Sequence, residues 1–303
     1  MVHGMPHVVT TPRPALQGMS GAAQVHQVPV WTDNFSWILV CQSTGEASVV
    51  DGAEAKPVLD WFSARARPVA GDLVDGPRLT TILTTHTHPD HIGIHRDLDK
   101  QGKLAALRVV GNRELGGVIP GLSEGVGEGD EVSLGALRGQ AMLTEGHIDG
   151  HISYLFGDLL FCGDTLFAGG CGYLFDGPPA KMQASLARLM GLPDHVRVCC
   201  AHEYTQDNLR FAWSVEPDNE ALAARIRSVW EVRARGESTV PSTIGDERAT
   251  NPFVRWDSDT VKRRVRAALP DAPLDTPAQV FAATRLLKDK KLYKQQDDSV
   301  LPL

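Results

Sequence analysis

No stretch of the 303-residue chain approaches the roughly 18 consecutive apolar residues that a membrane-spanning helix needs. There is no excess of positive charge either: 30 Lys and Arg stand against 37 Asp and Glu, a formal net charge of −7, so no global field draws the chain to nucleic acid. The five cysteines include no C-x-x-C pair and are odd in number, which argues against a disulfide framework and for a reducing compartment. Cys199 and Cys200 lie in the apolar run V-R-V-C-C-A, as buried thiols of a strand do. The opening stretch has neither the apolar core of a secretion signal nor an Arg-rich amphipathic pattern. What is present is an ordinary globular composition, 42% hydrophobic and 22% charged. These features predict a cytoplasmic protein with a small-molecule partner, no nucleic acid and no membrane; a monomer is the expected state.

Residues 1–24 read as a tail. Strands are expected at Val25–Val30, Ser36–Cys41, Ala47–Val50 and Leu79–Thr84, with a loose helix from Ala53 to Arg67 and a polar loop from Gly71 to Pro77. Further strands are expected at Leu107–Val110, around Val132, at Ala141–Leu143, and at Ile152–Phe156 and Leu159–Cys162, the last two joined by a Gly157-Asp158 hairpin turn. After a strand at Val196–Ala201 the pattern becomes helical, at Asp218–Arg235, Asp257–Leu269 and Thr276–Lys290. The last begins with Thr276-Pro-Ala-Gln279, an N-cap, Pro at N1 and a capping-box partner. The reading is an α/β domain over 25–203 and a helical domain over 204–303.

The stretch Thr84-Thr-His-Thr-His-Pro-Asp-His91 places His86, His88, Asp90 and His91 in one short loop directly after a strand. Imidazole and carboxylate are the donors that Zn²⁺ and similar ions take, and a loop can turn several of them toward one point where a strand would send alternate residues to opposite faces. Three more candidates sit at or just beyond strand ends: His151, Asp164 and His202. Singly, each has an ordinary explanation as a cap, a turn former or a core histidine. Together with the loop they make a ligand set.

The order T-H-T-H-P-D-H, G-H-I-D-G-H, G-D-T-L-F and A-H-E-Y-T resembles the metallo-β-lactamase superfamily, and within it glyoxalase II, the hydroxyacylglutathione hydrolases. The likeness runs from about Val25 to Lys291 and includes T-D-N-F at Thr32–Phe35, G-C-G at Gly170–Gly172, V-E-P-D-N at Val215–Asn219, V-P-S-T at Val240–Thr243 and N-P-F-V-R at Asn251–Arg255. It implies an αββα sandwich followed by a helical substrate-binding domain. It also implies two divalent ions, zinc by preference with iron or manganese as alternatives. His86, His88 and His151 would hold one ion and Asp90, His91 and His202 the other, with Asp164 bridging; Asp90 and Asp164 count as catalytic. Two divalent ions, two carboxylates and one hydroxide leave about +1, which suits an anionic tetrahedral intermediate. His147 would support the site without binding metal, and His3, His7, His26, His95 and His195 have ordinary roles.

Arg285 and Lys288, three apart on one helix face, would repel unless an anion sits near them, although cations near a helix C-terminus also answer its dipole. The resemblance implies that they hold the glycine carboxylate of glutathione, with Tyr173, Phe175, Tyr204 and Asn208 as further substrate contacts. The sequence departs from the family at Tyr173, where Lys or Arg is usual, at Gly52, where Pro is usual, and in a longer tail and 65–79 loop. The implied reaction is hydrolysis of a thioester of the S-D-lactoylglutathione type by a metal-bridged hydroxide, a step of methylglyoxal detoxification. Rival readings are a persulfide dioxygenase, a lactonase or β-lactamase, and a non-catalytic metal- or glutathione-binding module.

Overall fold

A computed structural model describes residues 8–68 and 74–303. His3, His7 and the first part of the expected 71–77 loop lie outside the described residues. Two compact units are present, one comprising residues up to Leu143 with Gly150–Gly163, the other Thr144–Asp149 with Asp164–Leu303.

The first unit opens with four antiparallel strands, β1 (Leu16–Gly18), β2 (Ala23–Val30), β3 (Asn34–Cys41) and β4 (Glu46–Val50). Part of the expected tail is therefore sheet: Leu16 pairs with Val25, and the Met19 N–H donates to Asp158 at 2.7 Å. After helix α1 (Lys56–Ser63) and a two-stranded ribbon of β5 (Arg67–Pro68) and β6 (Val74–Asp75), the chain enters β7 (Arg78–Leu83), which pairs parallel with β4. Helix α2 (Pro89–Lys100) then crosses to β8 (Arg108–Asn112), and β9 (Glu124–Val126) ends the seven-stranded sheet. Parallel neighbours need such crossovers, and the helices seal the sheet face they cross. Ile38, Val40, Val49, Ile82 and Val109 pack on that face against Val58 of α1 and Ile94 and Leu98 of α2. Burying each such side chain contributes about 1.5–3 kcal/mol.

The rest of this unit is an antiparallel meander of β10 (Glu131–Leu134), β11 (Leu137–Leu143), β12 (Ile152–Phe156) and β13 (Leu159–Gly163). The β12–β13 turn falls at Gly157-Asp158 as expected, with Gly157 at φ +58°, a conformation that costs glycine little.

The second unit contains the ribbon β14 (Leu166–Phe167) and β15 (Gly170–Cys171), helix α3 (Pro179–Leu189), and β16 (Arg197–Cys200) paired with β17 (Ser242–Thr243). Its other helices are α4 (Thr205–Val215), α5 (Glu220–Ala234), α6 (Ile244–Thr250), α7 (Asp259–Ala268) and α8 (Pro277–Asp289). The expected capping box of α8 forms, Thr276 Oγ1 accepting the Gln279 N–H and Gln279 accepting the Thr276 N–H. Val261 and Val265 of α7 pack on Val280 and Ala283 of α8, and Leu209 and Ala212 of α4 on Leu222 and Ile226 of α5. Cys199 and Cys200 are buried thiols of β16, and burial pushes Cys200 up to about 12. No helix among the described residues is long and apolar enough to cross a membrane.

Candidate metal centre

The ligand-rich stretch is only half a loop. His86 and His88 follow β7, His88 in extended backbone, but Pro89 starts α2, so Asp90 and His91 occupy the helix's first turn. Proline suits that position because the missing N–H would have had no partner in the helix, and an acidic residue there answers the helix dipole. The turn is locked in place: the Gly52 N–H donates to His91 O and the Ile94 N–H to Gly52 O, both at 2.9 Å. Gly93 is required for this contact, since a Cβ there would stand 1.9 Å from Ala53 O.

Within the first unit the donors converge. His86 Nε2 and His88 Nδ1 lie 3.1 Å apart, the His86 ring sits 3.9 Å from that of His91, and His86 stacks on His151 with centroids 4.9 Å apart. Asp90 Oδ2 is 3.5 Å from His91 Nε2 and accepts from Asn34 Nδ2 at 2.9 Å. Ring nitrogens packed this closely are held as ligands are, each by its other nitrogen: His86 Nδ1 is 3.0 Å from Thr85 Oγ1 and His91 Nδ1 donates to Asp51 Oδ2 at 2.9 Å. Gly163, at φ +46°, closes the cluster, because a Cβ there would lie 2.4 Å from Thr85 Oγ1 and 2.8 Å from His151 Nε2.

Asp51, directly after β4, organises the cluster and is absent from the ligand set expected from the sequence. It takes φ +53°, accepts from the Thr85 N–H at 2.8 Å and Thr85 Oγ1 at 2.7 Å as well as from His91, and is buried. Three hydrogen bonds hold this uncommon backbone state in place. The available signal was an Asp-Gly pair at a strand end, which also describes many turns.

In the second unit Asp164, just after β13, places Oδ1 3.4 Å from His202 Nε2 and Oδ2 3.5 Å from His147 Nε2. His147 is oriented by donating Nδ1–H to Tyr173 O at 2.7 Å. His202 stacks on Tyr204 with centroids 4.6 Å apart and planes 8° apart, while between them in sequence Glu203 accepts from Thr239 N–H, Thr239 Oγ1 and Ser238 Oγ. Gly172 lies so close behind Asp164 that a Cβ would meet Asp164 O at 2.0 Å.

The same unit pairs four of the expected substrate contacts, Lys288 with Asn208 and Tyr173 with Phe175. Lys288 Nζ donates to Asn208 Oδ1, and Asn208 Nδ2 donates to Ala168 O at 3.0 Å. Arg285 donates to Asp289 and to Cys171 O, and lies 5.2 Å from the Phe253 ring centroid. Both cations are buried, at 6% and 8% exposure, and burial followed by repulsion from Arg285 lowers Lys288 to about 8. A buried cation beside another is costly unless an anion joins it. Tyr173 and Phe175 instead form an exposed edge-on ring pair with centroids 4.9 Å apart, and Phe175 sets its edge 5.2 Å from His147.

The pairs His86 Nε2 with His88 Nδ1 and Asp90 Oδ2 with His91 Nε2, 3.1 and 3.5 Å apart, fit a divalent cation by donor type and spacing. The sequence profile described as "Metallo-beta-lactamase superfamily" matches residues 47–202, and that described as "Hydroxyacylglutathione hydrolase C-terminus" matches 203–291. The chain thus belongs to the metallo-β-lactamase superfamily, as a metal-dependent hydrolase with a C-terminal helical domain. The chain is 42% identical over 273 residues to a hydroxyacylglutathione hydrolase of Synechocystis, covering 88% of this chain and 98% of that one. It is 44% identical over 268 residues to a hydroxyacylglutathione hydrolase of Gloeobacter violaceus, covering 88% and 99%. Within the superfamily it is a member of the hydroxyacylglutathione hydrolase family. The fold is shared with a crystal structure of ETHE1 from Myxococcus xanthus at TM-score 0.53 and 23% identity, covering 91% of this chain and 97% of that one.

Proposed function

We propose that the chain hydrolyses a thioester of glutathione, of the S-D-lactoylglutathione type, to a 2-hydroxy acid and glutathione. The observation that carries the substrate half is the buried Arg285–Lys288 pair: two cations desolvated together on α8 are a site for a carboxylate, and the thiol half of such a substrate is an anionic peptide. The family assignment and the clustered imidazoles carry the chemical half.

For the metal centre we propose His86, His88 and His151 as ligands of one ion, Asp90, His91 and His202 of the other, and Asp164 as the shared ligand, with zinc as the metal. When bound, such ions polarise a carbonyl oxygen and lower the pKa of water toward ~7, supplying hydroxide at neutral pH. The chain's part is to orient the donors. Thr85 and Asp51 fix the rings of His86 and His91 through their far nitrogens, so both present the nitrogen that remains. The leaving thiolate, with a thiol pKa near ~8.5, needs far less proton donation than an amide nitrogen, so no acid side chain is demanded beside the scissile bond. Arg285, Lys288 and Asn208 would bind the glutathione end, with Tyr204, Tyr173 and Phe175 as further contacts. Action in the cytoplasm is consistent with five buried cysteine thiols.

Purified protein loaded with zinc should consume S-D-lactoylglutathione with loss of thioester absorbance, releasing one thiol per turnover. Inactivity toward a panel of acyl-glutathiones by protein of full metal content would remove the assignment.

A further inference from the structure

Lys288 is a weak cation in its own surroundings. Burial and Arg285 both favour its neutral form, bringing it to about 8, close enough to neutrality that part of its charge is at risk in ordinary buffer. Of the groups around it, Arg285 on α8 and Lys294 after it are cationic, Asp289 is engaged by Arg285, and Cys171 on β15 is a thiol pushed up by burial. The remaining anion is Asp207 on α4, next to Asn208, which accepts from Lys288.

Asp207 is held from two sides. Tyr293 Oη donates to its Oδ2 at 2.8 Å, and Lys294 Nζ lies 2.8 Å from its Oδ1. Burial works against its charge, yet Lys288, Lys294 and Tyr293 keep it below the usual carboxylate range, so it stays an anion throughout the neutral region. Burial and Asp207 hold the Tyr293 hydroxyl well above its usual range, so that group remains a donor. The Tyr293 ring also meets Phe211 at 5.4 Å, and Lys288 Nζ lies 5.7 Å from the centroid of Phe211.

We propose that Asp207, gripped by Tyr293 and Lys294, is a positioning residue for substrate binding, holding Lys288 in place as a cation. It acts through Lys288 and touches no reacting atom. The inference rests on the reading of Lys288 as part of the glutathione site, and the two are separable by experiment.

Steady-state kinetics on S-D-lactoylglutathione between pH 6 and 9, with wild type, Asp207→Asn, Asp207→Glu and Lys288→Met, provide the test, together with NMR titration of side-chain-labelled lysine in the zinc-loaded enzyme. The Lys288 resonance is assigned from its loss in Lys288→Met. Asp207→Asn should raise KM about tenfold at pH 7.5, change kcat less than twofold, and lower the Lys288 titration midpoint by about one pH unit. Asp207→Glu should recover most of the KM. Wild-type KM and an unmoved Lys288 titration in Asp207→Asn would overturn the proposal while leaving the glutathione site standing, provided Lys288→Met raises KM. A wild-type KM in Lys288→Met would overturn both.

Discussion

The Asp51 carboxylate accepts the Nδ1–H of His91 at 2.9 Å, in a pocket where both side chains are all but buried. It joins the end of β4 to the first turn of α2 and settles which ring nitrogen of His91 faces the candidate metal centre. Ligating histidines are commonly steered through their other nitrogen, and loss of the steering group typically weakens metal binding or activity 10–100-fold. Asp51→Asn should therefore lower kcat/KM by about that factor. After dialysis against a graded chelator series, plasma emission analysis should show zinc leaving the variant at lower chelator concentration than wild type. Equal retention would deny Asp51 this role.

If Asp164 serves both ions, Asp164→Ala should lose metal and turnover together, with a zinc-to-protein ratio well under two and kcat lowered by at least about 10³-fold. Full metal content with near-normal turnover would exclude a shared ligand. Chelation of the wild type should abolish activity and lower Tm, because ions that bind only the native state stabilise it by mass action.

Lys288→Met should raise KM for the thioester about tenfold or more, since a carboxylate left without one of two buried cations loses a charge-assisted hydrogen bond. The same change should stabilise the protein. Lys288 has its folded value lowered from 10.5 to about 8, so between those limits the unfolded chain binds more protons and stability rises with pH. The full cost, on the order of 3 kcal/mol, is present below about pH 8 and is relieved by about pH 10.5. Urea denaturation should show Lys288→Met more stable than wild type at pH 7 and the gap narrowing by pH 10. A gap independent of pH would contradict the buried-cation account.

The cap of α8 bears on the same site, since Thr276 starts the helix that carries Arg285 and Lys288. Thr276→Ala removes the acceptor for the Gln279 N–H and should cost about 1 kcal/mol, read as a few degrees of Tm, with KM little changed because both cations lie two or more turns further on. A KM change as large as that of Lys288→Met would mean that the first turn shapes the anion site.

Much of the architecture follows from local pattern. The alternating strands, the Gly157-Asp158 turn and the capped α8 are each specified by residues within a few positions of one another, where sterics and short hydrogen bonds decide. The ligand-bearing stretch is legible as chemistry, but the loop expected there is half helix: proline also opens helices, and α2 starts at Pro89 and docks through Gly93 onto Ala53. Part of the expected tail is strand for a similar reason, since three residues of strand acquire meaning only beside β2.

From residue order alone came the family, the donor types and the two cations three apart on one helix, because these are properties of side chains and their spacing. The tertiary structure decided that Asp51, 40 residues before His91, would orient its ring, and that Lys288 would be buried against Asn208, 80 residues away. Hydrogen bonds and desolvation act over a few ångströms of space, and when the chain folds, which groups come within that distance depends on packing between elements that carry no mark of one another in the sequence.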